Sequence, residues 1–271
     1  MIVNFFENWN PENFIESDWK EIVKEDKVYP PLAIKALKKA FEQIKLGNQF
    51  NDSTKIITAY KTALVKFPKD IWLKREYAIL LAKNNESEEA IKIYKNLVLE
   101  LGDQSYTWHE FALLFSEEEL DLPIGMLSKA IKLQKDENFL GSTRLDLADK
   151  LIKKNKLEEA LVELNKYQEY RIANNKNLSD KFNELKVLVK EVQTHKKDNL
   201  ELYDEYIIVS ENFDYQDISW TELVFIEKWK NDKNKEKLKY KRQQTKDLNF
   251  QTSTCLKIQV FLNPKSVAGR M

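Results

Sequence analysis

Residues 84–97 read NNESEEAIKIYKNL, and residues 154–167, seventy positions on, read KNKLEEALVELNKY. Glu88-Glu89-Ala90 and Glu158-Glu159-Ala160 stand in the same register. An echo at a fixed distance is the mark of a repeat architecture, and seventy is about twice the period of the common two-helix repeats, so a weaker copy is expected between them. Aligning on alanine finds it. Ala78, Ala112 and Ala148 fall 34 and 36 residues apart, each after a large residue: Tyr77, Phe111 and Leu147. Leu81, Phe115 and Leu151 follow three positions later, so each first helix carries an apolar stripe at helical spacing, plainest in Trp108, Phe111, Ala112 and Phe115.

The second helices carry Ala90, Tyr94, Leu97 and Leu101, then Leu127, Ala130 and Ile131, then Leu157, Ala160, Leu161, Leu164 and Tyr167. Two helices approach closely only where one offers a methyl group and a bulky neighbour fills the notch, which explains the small and large residues at fixed places. Breaks fall between the units at Phe67–Asp70, Gly102–Ser105 and Lys135–Asn138, where Gly can end a helix and Asp or Ser can cap the next. The unit that contains Ala112 departs from this grammar. Pro123 stands where a small residue is usual, and the turn Ser116–Leu122 is long.

Composition bounds what such a chain can be. Of 271 residues 42% are hydrophobic and 32% charged, with five Gly and six Pro, which favours long helices and few loops. The 44 basic residues balance the 44 acidic ones, so the global field draws the chain to neither nucleic acid nor membrane. Cys255 is the single cysteine, which excludes an intrachain disulfide and fits a reducing compartment. No apolar run approaches the ~18 residues of a membrane helix, and Asn4, Glu7 and Asn8 interrupt the apolar N-terminus. A cytoplasmic protein is expected.

After a polar connector, Arg171–Asn177, Ser179 is placed to cap a helix carrying Phe182, Leu185, Leu188, Val189 and Val192, with a polar back suited to sealing a stack of helices. The grammar then changes. Leu223–Trp229 is β-prone, Asn231–Asn234 is turn-like, and Lys237–Lys241 and Leu256–Leu262 alternate with period two. The division that follows is an N-terminal extension over 1–30, a helical stack with its capping helix over 31–200, and a linker with a small antiparallel β unit over 201–271.

The small residues in both helices, the aromatic or aliphatic residues around them and the Pro-containing turn resemble the tetratricopeptide repeat (TPR). Three units cover about Asp70–Arg171, and Tyr60, Ala63 and Pro68 match the second half of an earlier one spanning Pro31–Pro68. The resemblance implies a TPR-like α-solenoid of about four helical hairpins plus a capping helix. Trp9-Asn10-Pro11-Glu12-Asn13-Phe14, Asp18, Tyr29-Pro30-Pro31-Leu32-Ala33 and Asp217-Ile218-Ser219-Trp220 extend it. With them the chain is similar to bacterial TPR proteins that carry a small OB-like C-terminal domain and are associated with stress or defence loci. Only three strands are legible, where a closed OB barrel needs five.

The search for chemistry is largely negative. The five glycines form neither a phosphate loop nor a dinucleotide fingerprint. His109 and His195 stand far apart and in no zinc motif. The acidic run Ser116–Asp121 lacks the ligand spacing and central Gly of a calcium loop and reads as a solvated turn. No catalytic residue, metal or cofactor is assigned.

Two surfaces remain. Carried onto this chain, the TPR frame implies a concave face made of Trp72, Arg75, Glu76 and Ile79; of Tyr106, His109, Glu110 and Leu113; and of Ser142, Leu145, Asp146 and Asp149. Such a face suits the grip of a partner polypeptide, and the blander alternative is a solvated helix surface. The Lys and Asn set that clamps a C-terminal carboxylate is missing, which argues against a chaperone-tail receptor. The other surface is the basic run Lys228–Lys246, with nine bases against two acids. Its members Lys228, Trp229, Lys230, Lys237, Lys239, Tyr240, Lys241 and Arg242 combine cations with aromatics, as single-stranded nucleic-acid sites do. The competing reading is that lysines guard a strand edge and Trp229 covers the hairpin core. A protein-binding adaptor is the leading expectation, and a nucleic-acid-binding accessory protein is the alternative.

Overall fold

The computed structural model describes residues 10, 13–45 and 53–216 and the strands at 221–230, 236–242 and 257–260. It divides into two compact units, Met1–Asp214 and Tyr215–Met271. The chain is mostly helical, with ten α-helices among the described residues: α1 Leu32–Lys45, α2 Thr54–Lys66, α3 Ile71–Lys83, α4 Ser87–Leu101, α5 Ser105–Ala112, α6 Asp121–Leu133, α7 Gly141–Lys153, α8 Leu157–Ala173, α9 Asp180–Leu188 and α10 Leu200–Tyr215.

The echoed stretches lie where α3 turns into α4 and α7 into α8. Asn85 and Asn155 both take the left-handed conformation, at φ 64° and 60°. In each turn the following residue donates back to the helix, Glu86 N to Leu81 O at 2.9 Å and Lys156 N to Leu151 O at 2.8 Å, while the Asn N–H reaches Ala82 O or Ile152 O. This is the Schellman closure, and Asn is among the few residues with a side chain that tolerate its positive φ. Asn175 repeats it between α8 and α9. The acidic pairs that follow, Glu88-Glu89 and Glu158-Glu159, occupy the first turns of α4 and α8, where the helix dipole favours them. Repetition in the sequence is thus repetition of a turn.

Consecutive helices pack in pairs, α3 on α4, α5 on α6 and α7 on α8, and α7 also packs on α6. The notch residues Ala78, Ala112 and Ala148 are fully buried beside Tyr77, Phe111 and Leu147, and the stripe Trp108, Phe111 and Phe115 lies in the core. Asp70 caps α3 by accepting from Trp72 N and Leu73 N at 2.9 and 3.0 Å, and Ser179 caps α9 by accepting from Phe182 N at 3.3 Å. The α5–α6 pair departs from the pattern. Its first helix is one of eight residues, its turn runs from Leu113 to Leu120, and Pro123 sits in the first turn of α6, where a missing N–H costs little.

Two segments differ from expectation. Within 1–30 a 3₁₀ turn, Glu16–Trp19, precedes a hairpin of β1 Ile22–Lys24 and β2 Lys27–Tyr29, turned by Glu25 and Asp26 at positive φ. Trp19 is buried there with Phe14 edge-on at 5.5 Å. Beyond 200, the stretch assigned to a linker begins instead with α10, because Leu202, Tyr203, Tyr206 and Ser210 fall on one buried helical face. That helix crosses the second helices in reverse order. Asn199 Nδ2, just before α10, donates to Glu163 Oε1 on α8 at 2.7 Å, Lys132 on α6 pairs with Asp204, Lys129 on α6 pairs with Glu211, and Phe213 meets Phe115 at 5.7 Å and Lys95 of α4 at 4.1 Å.

The second unit contains an antiparallel sheet in the order β4-β3-β5, with β3 Thr221–Lys230, β4 Glu236–Arg242 and β5 Lys257–Val260. The expected turn at 231–234, Asp217–Trp220, Cys255 and Lys246 lie outside the described residues.

Candidate functional site

The expected face residues lie on α3, on α5 or its C-cap, and on α7, and most of their charges are spent on neighbouring helices, α9 among them. Arg75 on α3 forms a forked ion pair with Glu110 on α5, whose Oε2 also accepts from Tyr94 OH at 3.1 Å. His109 Nε2 on α5 lies 2.6 Å from Asp146 Oδ2 on α7, and Lys181 on α9 binds the other oxygen of Asp146. Asp149 pairs with Lys153 at 2.8 Å, and Glu117 in the α5–α6 turn pairs with Lys150 and Lys153. Burial opposes the charge on Asp146, but the hydrogen bonds from His109 and Lys181 outweigh it and hold the carboxyl below its ordinary value.

Two expected face residues point inward. Glu76 is buried, accepting from Tyr60 OH at 2.8 Å, and burial pushes its carboxyl up against the pull of Tyr60, Lys38 and Arg75. Leu145 is in the core. Ile79 is half-buried and Ser142 exposed.

What remains open is aromatic. Trp72, 48% exposed, stacks with Tyr106 at 6.1 Å between centroids and 22° between planes. The Arg75 guanidinium lies 5.5 Å from the Trp72 ring and 5.4 Å from that of Tyr106. A cation so placed attracts both rings and holds them in one arrangement. Leu113, 54% exposed, continues the surface two helical turns beyond Tyr106. The pairing of charges across helices is the feature that sequence reasoning missed. Its signal was available: Arg75 and Glu110 are separated by 35 residues, His109 and Asp146 by 37, and Asp146 and Lys181 by 35, one repeat in each case.

A second polar cluster lies between α7, α8 and α10. Arg144 donates to Glu163 at 2.6 Å and to Glu137 at 3.1 and 2.7 Å, and Glu163 also accepts from Asn199 and Tyr203. Burial would depress the guanidinium, yet its hydrogen bonds to Glu137 and the charge of Glu163 raise it above its ordinary value. This cluster is structural, since Glu163 and Arg144 are both buried.

The basic candidates fall on β3 and β4. Pairing sets Trp229 opposite Lys237 and Lys228 opposite Leu238, Lys230 opposite Glu236, Phe225 opposite Tyr240, Val224 opposite Lys241 and Leu223 opposite Arg242. Among the described residues no cluster of His, Cys, Asp and Glu could hold a metal, and no helix is long and apolar enough to cross a membrane.

Two helix pairs closed by the same asparagine turn, charges paired across helices, and a small antiparallel sheet define a mostly α-helical protein. Residues 71–207, half of the chain, match the family described as a domain of unknown function, DUF7017, and the chain belongs to that family. The matched span runs from the first residue of α3 into the first half of α10, so it takes in part of the crossing helix as well as the helix pairs. No curated protein and no solved structure matches the chain.

Proposed function

We propose that this chain is a non-enzymatic adaptor: a TPR-like α-solenoid whose inner face, formed by α3, α5, α7 and α9, holds a segment of another protein in the cytoplasm. The observation that carries the proposal is the Trp72–Tyr106 stack, half exposed and braced by Arg75. Large rigid aromatics fixed before contact lose little freedom on binding, and such residues dominate interface energies. The surrounding charges are already paired, so the partner is recognised by apolar and aromatic groups.

The test is a tagged pulldown from the native cell with the wild type, a Trp72→Ala/Tyr106→Ala variant and a Val65→Ala control, Val65 being exposed on α2. A desolvated aromatic anchor is worth ~2 kcal/mol or more, so the aromatic variant should recover its partner at least about tenfold less well, with the helical signal intact. The control should match the wild type. Equal recovery by all three proteins removes the concave face from the mechanism.

A further inference from the structure

The register of the three-stranded sheet sorts the basic run onto two faces of different chemistry. Residues directly opposite in an antiparallel pair share a face, and faces alternate along each strand. One face carries Leu223 and Phe225 of β3, Leu238 and Tyr240 of β4, and Ile258 and Val260 of β5, with Lys228, Arg242 and the opposed pair Lys230 and Glu236 toward its ends. The other carries Trp229 with Lys237, Glu227 with Lys239, Val224 with Lys241 and Lys257, and Glu222 with Gln259.

Trp229 reaches this second face through a bulge. In a regular strand Leu223, Phe225, Glu227 and Trp229 would share a side, with Trp229 adding to the apolar face. The pairing shifts between Phe225 and Glu227, and the extra residue moves Trp229 to the face of the lysines. A bulge that takes the largest apolar residue of the strand off the apolar face runs against what a core would select.

We infer that this lysine and tryptophan face binds single-stranded nucleic acid, phosphates along Lys237, Lys239, Lys241 and Lys257 and an unpaired base on Trp229. Lys237, Lys239 and Lys241 stand at alternate positions of β4, roughly 7 Å apart, a step comparable to that between neighbouring phosphates of an extended strand. The row of three on β4 follows one backbone, Lys257 stands across β3 from Lys241, and an indole stacks only on a base that is not already stacked in a duplex. Among the described residues β4 is an edge of the sheet, so the row lies along its margin. The inference is independent of the adaptor reading.

The experiment measures fluorescence anisotropy of a labelled oligothymidylate with the full-length chain over a potassium chloride series. Neutralising four phosphates gives a log-log salt slope of about −3. Two variants remove the same charge: Lys237→Gln/Lys239→Gln/Lys241→Gln, and Lys228→Gln/Lys230→Gln/Arg242→Gln. The first should weaken binding at least tenfold and flatten the slope to about −1, while the second stays within about threefold. Trp229→Leu, which changes no charge, should weaken binding about tenfold at unchanged slope. If the lysine triple variant loses the β signal, the Trp229→Leu comparison decides alone. Equal losses in both triple variants, no effect of Trp229→Leu, or equal affinity for polyglutamate, for anionic vesicles or for a duplex would overturn the inference.

Discussion

Gly125→Ala tests whether α10 crosses α6 as closely as described. A Cβ built on Gly125 would lie 2.2 Å from the carbonyl oxygen of Tyr206, 2.9 Å from its carbon and 2.9 Å from Ser210 Oγ. Carbon and oxygen approach to roughly 3.3 Å at their closest, so α10 would have to retreat by about 1 Å. The nearest obstructing atom is backbone, and no rotamer change relieves it. In a helix with nothing opposite, replacing Gly by Ala stabilises by ~1 kcal/mol. Overpacking a built contact costs ~1–3 kcal/mol, and here the shift also disturbs Tyr206, Lys129–Glu211 and Lys132–Asp204. The two effects have opposite signs, which makes the outcome decisive. Because the clash is with backbone the overpacking cost falls at its upper end, ~3 kcal/mol, and the net loss of ~2 kcal/mol should lower the thermal midpoint by about 4–8 °C for a chain of this size. Hydrogen exchange should show the loss of protection concentrated in α10. A variant as stable as the wild type or more so would refute the crossing.

Asp214, at 3% exposure and with neither oxygen hydrogen-bonded, has its carboxyl pushed up to about 7 by burial, with Lys129 and Lys95 opposing and Glu211 adding. Because the folded value is raised, the stability linked to this group is fully present below the unfolded value near 4 and is lost as pH rises through about 7. A carboxyl raised from near 4 to about 7 corresponds to ~4 kcal/mol, so Asp214→Asn should gain on the wild type from pH ~4 upward and level off above pH ~8. Urea midpoints across that range check it, and a constant difference would contradict it. Glu163→Ala leaves the Arg144 guanidinium buried with Glu137 as its remaining carboxylate, and should cost ~3–5 kcal/mol in the same assay. A loss under ~1 kcal/mol would show that the cluster does not pin α7, α8 and α10 together.

Much of the helical body was legible because its signals are local. The Schellman turn at Asn85 and Asn155, the alanine notches and the caps at Asp70 and Ser179 depend on residues within a few positions of each other. The β1–β2 hairpin was not legible. Its strands are three residues each and exposed, so no alternation announces them, and its turn residues, Glu25 and Asp26, lack the Gly that usually marks one. α10 was missed for another reason. Tyr203, Tyr206 and Ser210 give a helical stripe, but Ser210 and Asp214 place polar atoms on it, and only the close passage over Gly125 explains why small and polar residues are buried there.

The site shows where reading by residue type stops. A charged residue on a helix face offers the same letter whether it awaits a ligand or answers a charge one repeat away, and only the packing of α3 on α5 and α5 on α7 turns Arg75, Glu110, His109 and Asp146 into internal partners. The consequence is physical. A helix face whose ions are already paired gains little from further charges, so binding to the Trp72–Tyr106 surface should depend weakly on salt. The sheet face carries lysines at alternate positions of an edge strand and should depend on salt steeply. The same potassium chloride series, read once with a captured protein partner and once with an oligonucleotide, therefore distinguishes the two surfaces. A steep slope for the protein partner that disappears when Lys237, Lys239 and Lys241 become Gln would place that partner on the sheet, and would leave the Trp72–Tyr106 stack without a role in its capture.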